Sequence, residues 1–201
     1  AARDDTGDVE AVQYLEKALT LTNRDIDQLR ATLALAARWR KMGRGDDAYL
    51  KLWRLGMTPA GDDYVTIEPR LRNKARQVVA HVLARFERDL TARQLATIQA
   101  ATQDELDAAL AELNDEAHAA EGRQRLLRLA ELDDAGGAGQ AALVALGGIE
   151  LSQQHYERSE QYLREAIRRN RATAVTAEAM RDLAEQYLGD DQKLDWEAQQ
   201  L

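Results

Sequence analysis

Apolar residues recur along this chain at three- and four-residue intervals, the spacing of one face of an α-helix. From Asp8 to Leu21 that face is Val9, Ala11, Val12, Leu15, Ala18 and Leu19. Thr22 or Asn23 can cap a second helix running to about Met42, where Gly43-Arg44-Gly45 ends it. Asp46 to Leu55 follows as a shorter helix, Gly56 to Asp63 as a loop, and Tyr64 to Ile67 as an extended connector. Pro69 suits the first turn of a helix to about Asp89, with Leu71, Ala75, Val78, Val79, Val82 and Phe86 inward. Two capping-box patterns, Thr91 with Gln94 and Thr102 with Glu105, predict short helices over 92–101 and 103–113. An acidic, alanine-rich run predicts helix from Asp115 through Arg123 to Leu132, with a break at Gly122. Asp133 to Gln140 (DDAGGAGQ) is a turn or hinge. The stretch Leu146–Arg171 predicts two amphipathic helices with a tight turn near Gln154–His155. Thr173 or Thr176 caps a helix to about Leu188, with Val175, Ala179, Met180, Leu183 and Tyr187 inward, and Lys193 to Leu201 forms a last short helix carrying Trp196.

Within Leu146–Arg171, small or apolar residues fall at Leu146, Gly147, Leu151, Tyr156, Ser159, Leu163, Ala166 and Ile167. Gly147, Ser159 and Ala166 stand where two helices must touch. This resembles a tetratricopeptide repeat, with departures at Ser159 (usually Ala) and Arg171 (usually Pro). Leu35, Ala36, Trp39, Gly43, Ala48, Leu52 and Leu55 fall in the same register over residues 24–55. Residues 8–23 resemble the second helix of a further repeat, and matching is poor from 56 to 125.

The resemblance implies an all-α fold, a right-handed array of antiparallel helical hairpins forming an α-solenoid. It would be a single repeat domain over 1–201, with repeats at 8–55 and 140–201 and diverged or inserted helices at 56–132. It also implies a scaffold or adaptor that holds a peptide or subunit in a concave groove lined by the first helix of each pair. The groove positions would be Arg30, Leu33, Ala37, Arg40 and Lys41 in the first repeat, and Ala141, Val144, Gly148, Leu151 and Ser152 in the second. One set is basic and the other apolar, which suits an acidic partner with an apolar anchor. Arg40 and Lys41 also stand where a helix C-terminus favours cations in any case.

Composition agrees with an all-helical reading: Ala and Leu dominate, and there are two prolines and one Phe. The net charge of −8 argues against nucleic acid and anionic membranes. The charge is uneven, with a net of about +6 over 24–94 and about −9 over 95–160. Arg70, Arg72, Lys74 and Arg76 cluster at a helix start, but no aromatics interleave with them as a stacking platform would require. With no Cys there is no disulfide and no thiolate site. His81, His118 and His155 are far apart and share no metal-binding spacing. No nucleophile elbow, phosphate-cradling loop or walled carboxylate pair is proposed by any spacing, so no catalytic, cofactor-binding or metal role is expected.

Trp53 lies beside Leu52, which takes the packing position, and so is expected to be partly exposed and open to a partner. No run of 18 apolar residues exists to insert into a membrane. The start AARDDTGD, without Met, fits a cleaved mature protein or an excised piece. The expected compartment is therefore the cytoplasm by default, and the periplasm or exterior if a leader was removed. Three rival readings remain: a structural module that packs against another domain of a longer chain or against itself, a regulatory or enzymatic piece sharing its site with a missing segment, and nucleic-acid binding through residues 38–76.

Overall fold

The computed structural model describes residues 5–21, 25–57, 69–132 and 134–189. Among them it is all-helical, with no strand: α1 (Asp5–Leu21), α2 (Asp25–Lys41), α3 (Gly45–Met57), α4 (Pro69–Glu87), α5 (Ala92–Leu113), α6 (Ala119–Glu131), α7 (Ala138–Ser152), α8 (Tyr156–Arg169) and α9 (Thr173–Gly189). The expected connector at 64–67, the helix at 193–201 with Trp196, and the caps Thr22 and Asn23 lie outside the described residues. So do the side chains of 70–76, and with them the basic cluster. The chain divides into two compact units, Ala1–Ile98 and Gln99–Leu201.

In the first unit, α1 packs on α2, α2 on α3 and α3 on α4. The core is Val12 of α1, Leu35, Ala36 and Trp39 of α2, Ala48, Tyr49, Leu52, Trp53 and Met57 of α3, and Val79, Leu83 and Phe86 of α4. Helix α3 is covered on two sides, so it buries a wide arc rather than one stripe. Trp53 is accordingly only 2% exposed, which removes it as a partner-facing residue. On α4 the inward stripe is Val79–Leu83–Phe86, at i, i+4 and i+7, and Val78 is left 44% exposed. On α1 Val9 is exposed as well.

Helix α2 ends in a Schellman turn. Arg44 N donates to Trp39 O (2.9 Å) and Gly43 N to Arg40 O (3.1 Å), with Gly43 at φ +79°. Helix α7 ends the same way: His155 N donates to Glu150 O and Gln154 N to Leu151 O (both 2.9 Å), with Gln154 at φ +61°.

Helix α5 is continuous where two short helices were expected. Thr91 and Gln94 do form a capping box: Thr91 N donates to Gln94 Oε1 (3.0 Å), and Gln94 N to Thr91 Oγ1 (3.3 Å). Thr102 caps nothing. It is fully buried, and its hydroxyl bonds back to Gln99 O (3.2 Å) within the helix. The chain then turns at 114–118 before α6, so the expected helix from Asp115 starts late. Gly122 does not break α6. It lets α6 approach α5, for a Cβ there would lie 2.5 Å from Leu113 N and 2.7 Å from Ala109 O.

In the second unit α7 is central, packing on α6, α8 and α9, and α9 also packs on α8. Nine of its fifteen residues are buried. Leu146 and Gly147 face α8, where Leu163, Ser159 and Ala166 are fully buried; a Cβ on Gly147 would lie 2.8 Å from Leu163 Cδ2. The DDAGGAGQ run is a packed corner rather than a loose hinge. Asp134 is 1% exposed, and its carboxylate accepts from Ala138 N (3.3 Å) and Gly139 N (2.8 Å) at the start of α7. On α9, Ala179, Leu183 and Tyr187 are buried as expected, but Met180 is 43% exposed.

Two glycines in helices should therefore behave oppositely. Gly122→Ala is expected to destabilise by about 2 kcal/mol or more, because backbone atoms block the new methyl. Gly148→Ala, with nothing within 4 Å of its Cβ position, is expected to stabilise by about 0.5–1 kcal/mol. Urea unfolding followed by circular dichroism measures both.

Candidate functional site

The first set of expected partner-facing residues shares one side of α2. Arg30, Ala37, Arg40 and Lys41 are exposed and Leu33 is half-buried. From Arg30 to Lys41 the row runs about 16 Å at the helical rise. Its cations are not equivalent. Arg40 pairs with Asp89, and its guanidinium lies 5.1 Å from the centre of the Phe86 ring. That charge is largely answered by its own chain. Arg44 is similarly held, 2.7 Å from Asp47 and 4.7 Å over the Trp39 ring. Arg38 pairs with Asp8 and ties α2 to α1.

Beside Arg40 is a half-open cavity of about 720 Å³, where the α2–α3 turn meets the end of α4 and the start of α5. Its walls include Phe86, Asp89, Arg93, Gln94 and Asp46. Gln94 Nε2 donates to Gly43 O (3.0 Å) across it. Charges of both signs line it, so it does not select an anion by field alone. Sequence spacing could not have found it, because Arg40 and Asp89 are 49 positions apart.

The second expected set is divided. Gly148 and Ser152 on α7 are exposed, and Ala141 and Leu151 are half-buried. Val144 is 7% exposed, so it belongs to the core of the unit and presents little to a partner. Val144 and Leu151 fall in the second compact unit, whereas Arg30, Leu33, Ala37, Arg40 and Lys41 fall in the first.

A charge cluster surrounds Glu150 of α7, which is 1% exposed. Its carboxylate pairs with Arg123 of α6, bonds His155 Nδ1 (2.9 Å) and lies 4.0 Å from Arg158 of α8. Burial pushes its pKa up, but the His155 hydrogen bond and the nearby arginines outweigh that, and the net shift is downward. Asp134 moves the other way: burial raises it, and backbone N–H donors only partly offset the rise. Glu165, bonded by Arg168 (2.6 Å) and Arg169 (3.1 Å), is lowered to about 2. Every oxygen of Glu150 is engaged, so it is an ion-pair anchor and not a free base. His81 is exposed, and His118 bonds Asp115 (2.8 Å). Among the described residues no group of three or more His, Cys, Asp or Glu is placed to hold a metal ion. Among them too, no helix is long and apolar enough to cross a membrane.

No family model, curated protein or solved structure matches this chain.

The pKa shifts carry a sign. The stability Glu150 contributes is complete above the ordinary carboxylate range and is lost as pH falls through its lowered folded value. Asp134, raised in the folded state, opposes that loss as pH falls. Glu150→Gln is expected to lower the thermal midpoint at pH 7 by about 5 °C or more. It is also expected to flatten the decline between about pH 5 and pH 3. Thermal scans by circular dichroism across that range test this, and an unchanged acid limb contradicts it.

Proposed function

We propose that this chain is a helical-repeat scaffold of tetratricopeptide type that binds an extended peptide or a subunit of another protein. One observation carries the reading. The pairs α2–α3 and α7–α8 share one register in sequence, at a constant offset from Leu35–Leu52 to Leu146–Leu163. Gly43 and Gln154 stand at equivalent places and close the same two hydrogen bonds in the same left-handed conformation. Leu35 matches Leu146, Ala48 matches Ser159 and Leu52 matches Leu163, and all six are fully buried. The packing of α9 on both α7 and α8 is also what a following repeat would give.

In this reading the open face of α2 carries the electrostatic part of recognition. Because Arg40 is already answered by Asp89, the recognition cations are Arg30 and Lys41, spaced by Leu33 and Ala37. An acidic segment with a small apolar side chain fits that row. Leu151 beside Gly148 gives α7 a separate, weakly apolar contact in its own unit. A second reading, a module that packs against another domain, draws support from Met180 (43% exposed) and Leu188 (62% exposed) on α9.

The test is a pull-down from a lysate of the source cells, comparing wild type with Arg30→Glu/Lys41→Glu and with Arg40→Ala. The expected result is a partner retained by wild type and Arg40→Ala but lost, at least tenfold, by the charge reversal. Equal capture by all three contradicts the proposal.

A further inference from the structure

The cavity beside Arg40 lies wholly within the first unit. Its 720 Å³ falls in the range of about 300–1,000 Å³ usual for small-molecule sites. Most of its polar side chains are already engaged by their own chain. Arg40 and Asp89 pair with each other. Gln94 Oε1 accepts from Thr91 N and Thr91 Oγ1 (both 3.0 Å), and its Nε2 donates to Gly43 O (3.0 Å). The Thr97 hydroxyl donates to Arg93 O (3.2 Å). Two charges are left over, the Asp46 carboxylate of α3 and the Arg93 guanidinium of α5. Among the described residues neither side chain has a hydrogen-bond or ion-pair partner. They stand on adjoining walls. A Cβ on Gly45 would lie 3.0 Å from Gln94 Nε2 and 3.3 Å from Leu90 Cδ2, and Asp46 and Arg93 flank that contact in the chain. Even so, they do not meet. Asp46 is half-buried, so its carboxylate loses part of its hydration without a partner in return. The first turn of a helix favours an acid such as Asp46, but it disfavours Arg93 in the first turn of α5.

We propose that this cavity binds a small zwitterion of the α-amino acid class. Its ammonium group sits on Asp46, its carboxylate on Arg93, and its side chain against Leu90 and the edge of Phe86. The charged lining is balanced, Arg40 and Arg93 against Asp46 and Asp89, so a bare anion or cation gains little from the field. A ligand of one sign also leaves the opposite wall unanswered. A zwitterion supplies both missing partners at once, across the gap that the two side chains do not close themselves. Each contact is a charge-assisted hydrogen bond, the stronger kind. Phe86 and Leu90 are the apolar part of the lining, so the side chain that fits is uncharged. The pinned Gln94 makes the wall between the two charges rigid, which holds their spacing for one ligand geometry. The site uses neither Arg30 nor Lys41 and is independent of the scaffold reading.

Isothermal titration calorimetry on the full chain tests this, with L-alanine, L-leucine and L-phenylalanine as probes at up to about 10 mM. At least one is expected to bind with a Kd of about 1 mM or tighter. Its N-acetyl and carboxamide derivatives each lack one charge and should bind about tenfold more weakly or worse. The same loss is expected for the parent amino acid with Asp46→Asn and with Arg93→Gln. Binding by none of the three probes overturns the proposal. So do capped probes that bind as well as the parent, or variants that leave the Kd unchanged. Circular dichroism and the thermal midpoint establish that each variant is folded. If one is not, the comparison of free and capped probes on the wild type still decides the matter.

Discussion

Helix α7 cannot be left facing water. Its sequence, AGQAALVALGGIELS, offers almost no polar side, so it must be surrounded, and α6, α8 and α9 do the surrounding. That constraint sets where its two long buried polar side chains can stand. Gln140 is 1% exposed and uses its whole amide. Its Nε2 donates to Ala166 O (2.9 Å) and Thr176 Oγ1 (2.8 Å), and its Oε1 accepts from Arg171 N (3.0 Å) and Ala172 N (2.8 Å). One side chain at the start of α7 therefore fixes the end of α8, the connection after it and the start of α9. Glu150, near the other end, does the same for α6, through Arg123, and for the α7–α8 turn, through His155. An apolar helix can pack in many rotations; two satisfied polar groups at its ends select one.

A further tie closes the unit from outside. Arg169 of α8 is 8% exposed at its side chain and donates to Ala130 O (2.6 Å) and Leu132 O (3.1 Å), the unfilled carbonyls at the end of α6. Glu165 holds its other edge. The first unit is organised more simply, by a core of Trp39, Tyr49, Leu52 and Trp53, with the Gly43 turn setting the α2–α3 reversal. Recognition in the proposed scaffold rests on this rigidity, since a row of side chains on α2 reads a partner only if α2 is held still.

The helices were legible because their apolar residues keep the 3.6-residue period and because Gly43 and the Thr91–Gln94 box punctuate them. The misreadings have particular causes. Thr102-Glu105 has the letters of a capping box, but a buried Thr can bond back to its own helix instead, and Glu105 is drawn to Arg125 (2.7 Å). Adjacent Val78 and Val79 cannot both point inward, and the choice depended on Leu83 and Phe86 finding α3. Trp53 looked exposed because one amphipathic face was assumed where α3 has two neighbours. Arg40 looked free because Asp89 is distant in sequence. The contacts of Gln140 span 26 to 36 positions and left no local pattern at all.

Gln140 locks the α8–α9 connection onto α7. Native-state hydrogen exchange of the Arg171 and Ala172 amides tests it most directly. Both stand at a surface turn, Arg171 exposed and Ala172 half-buried, where unlocked amides exchange by local fraying. Protection close to that of global unfolding is expected in the wild type, and its loss at these two positions in Gln140→Leu while Leu163 of α8 stays protected. Rapid exchange of Arg171 and Ala172 in the wild type would contradict it.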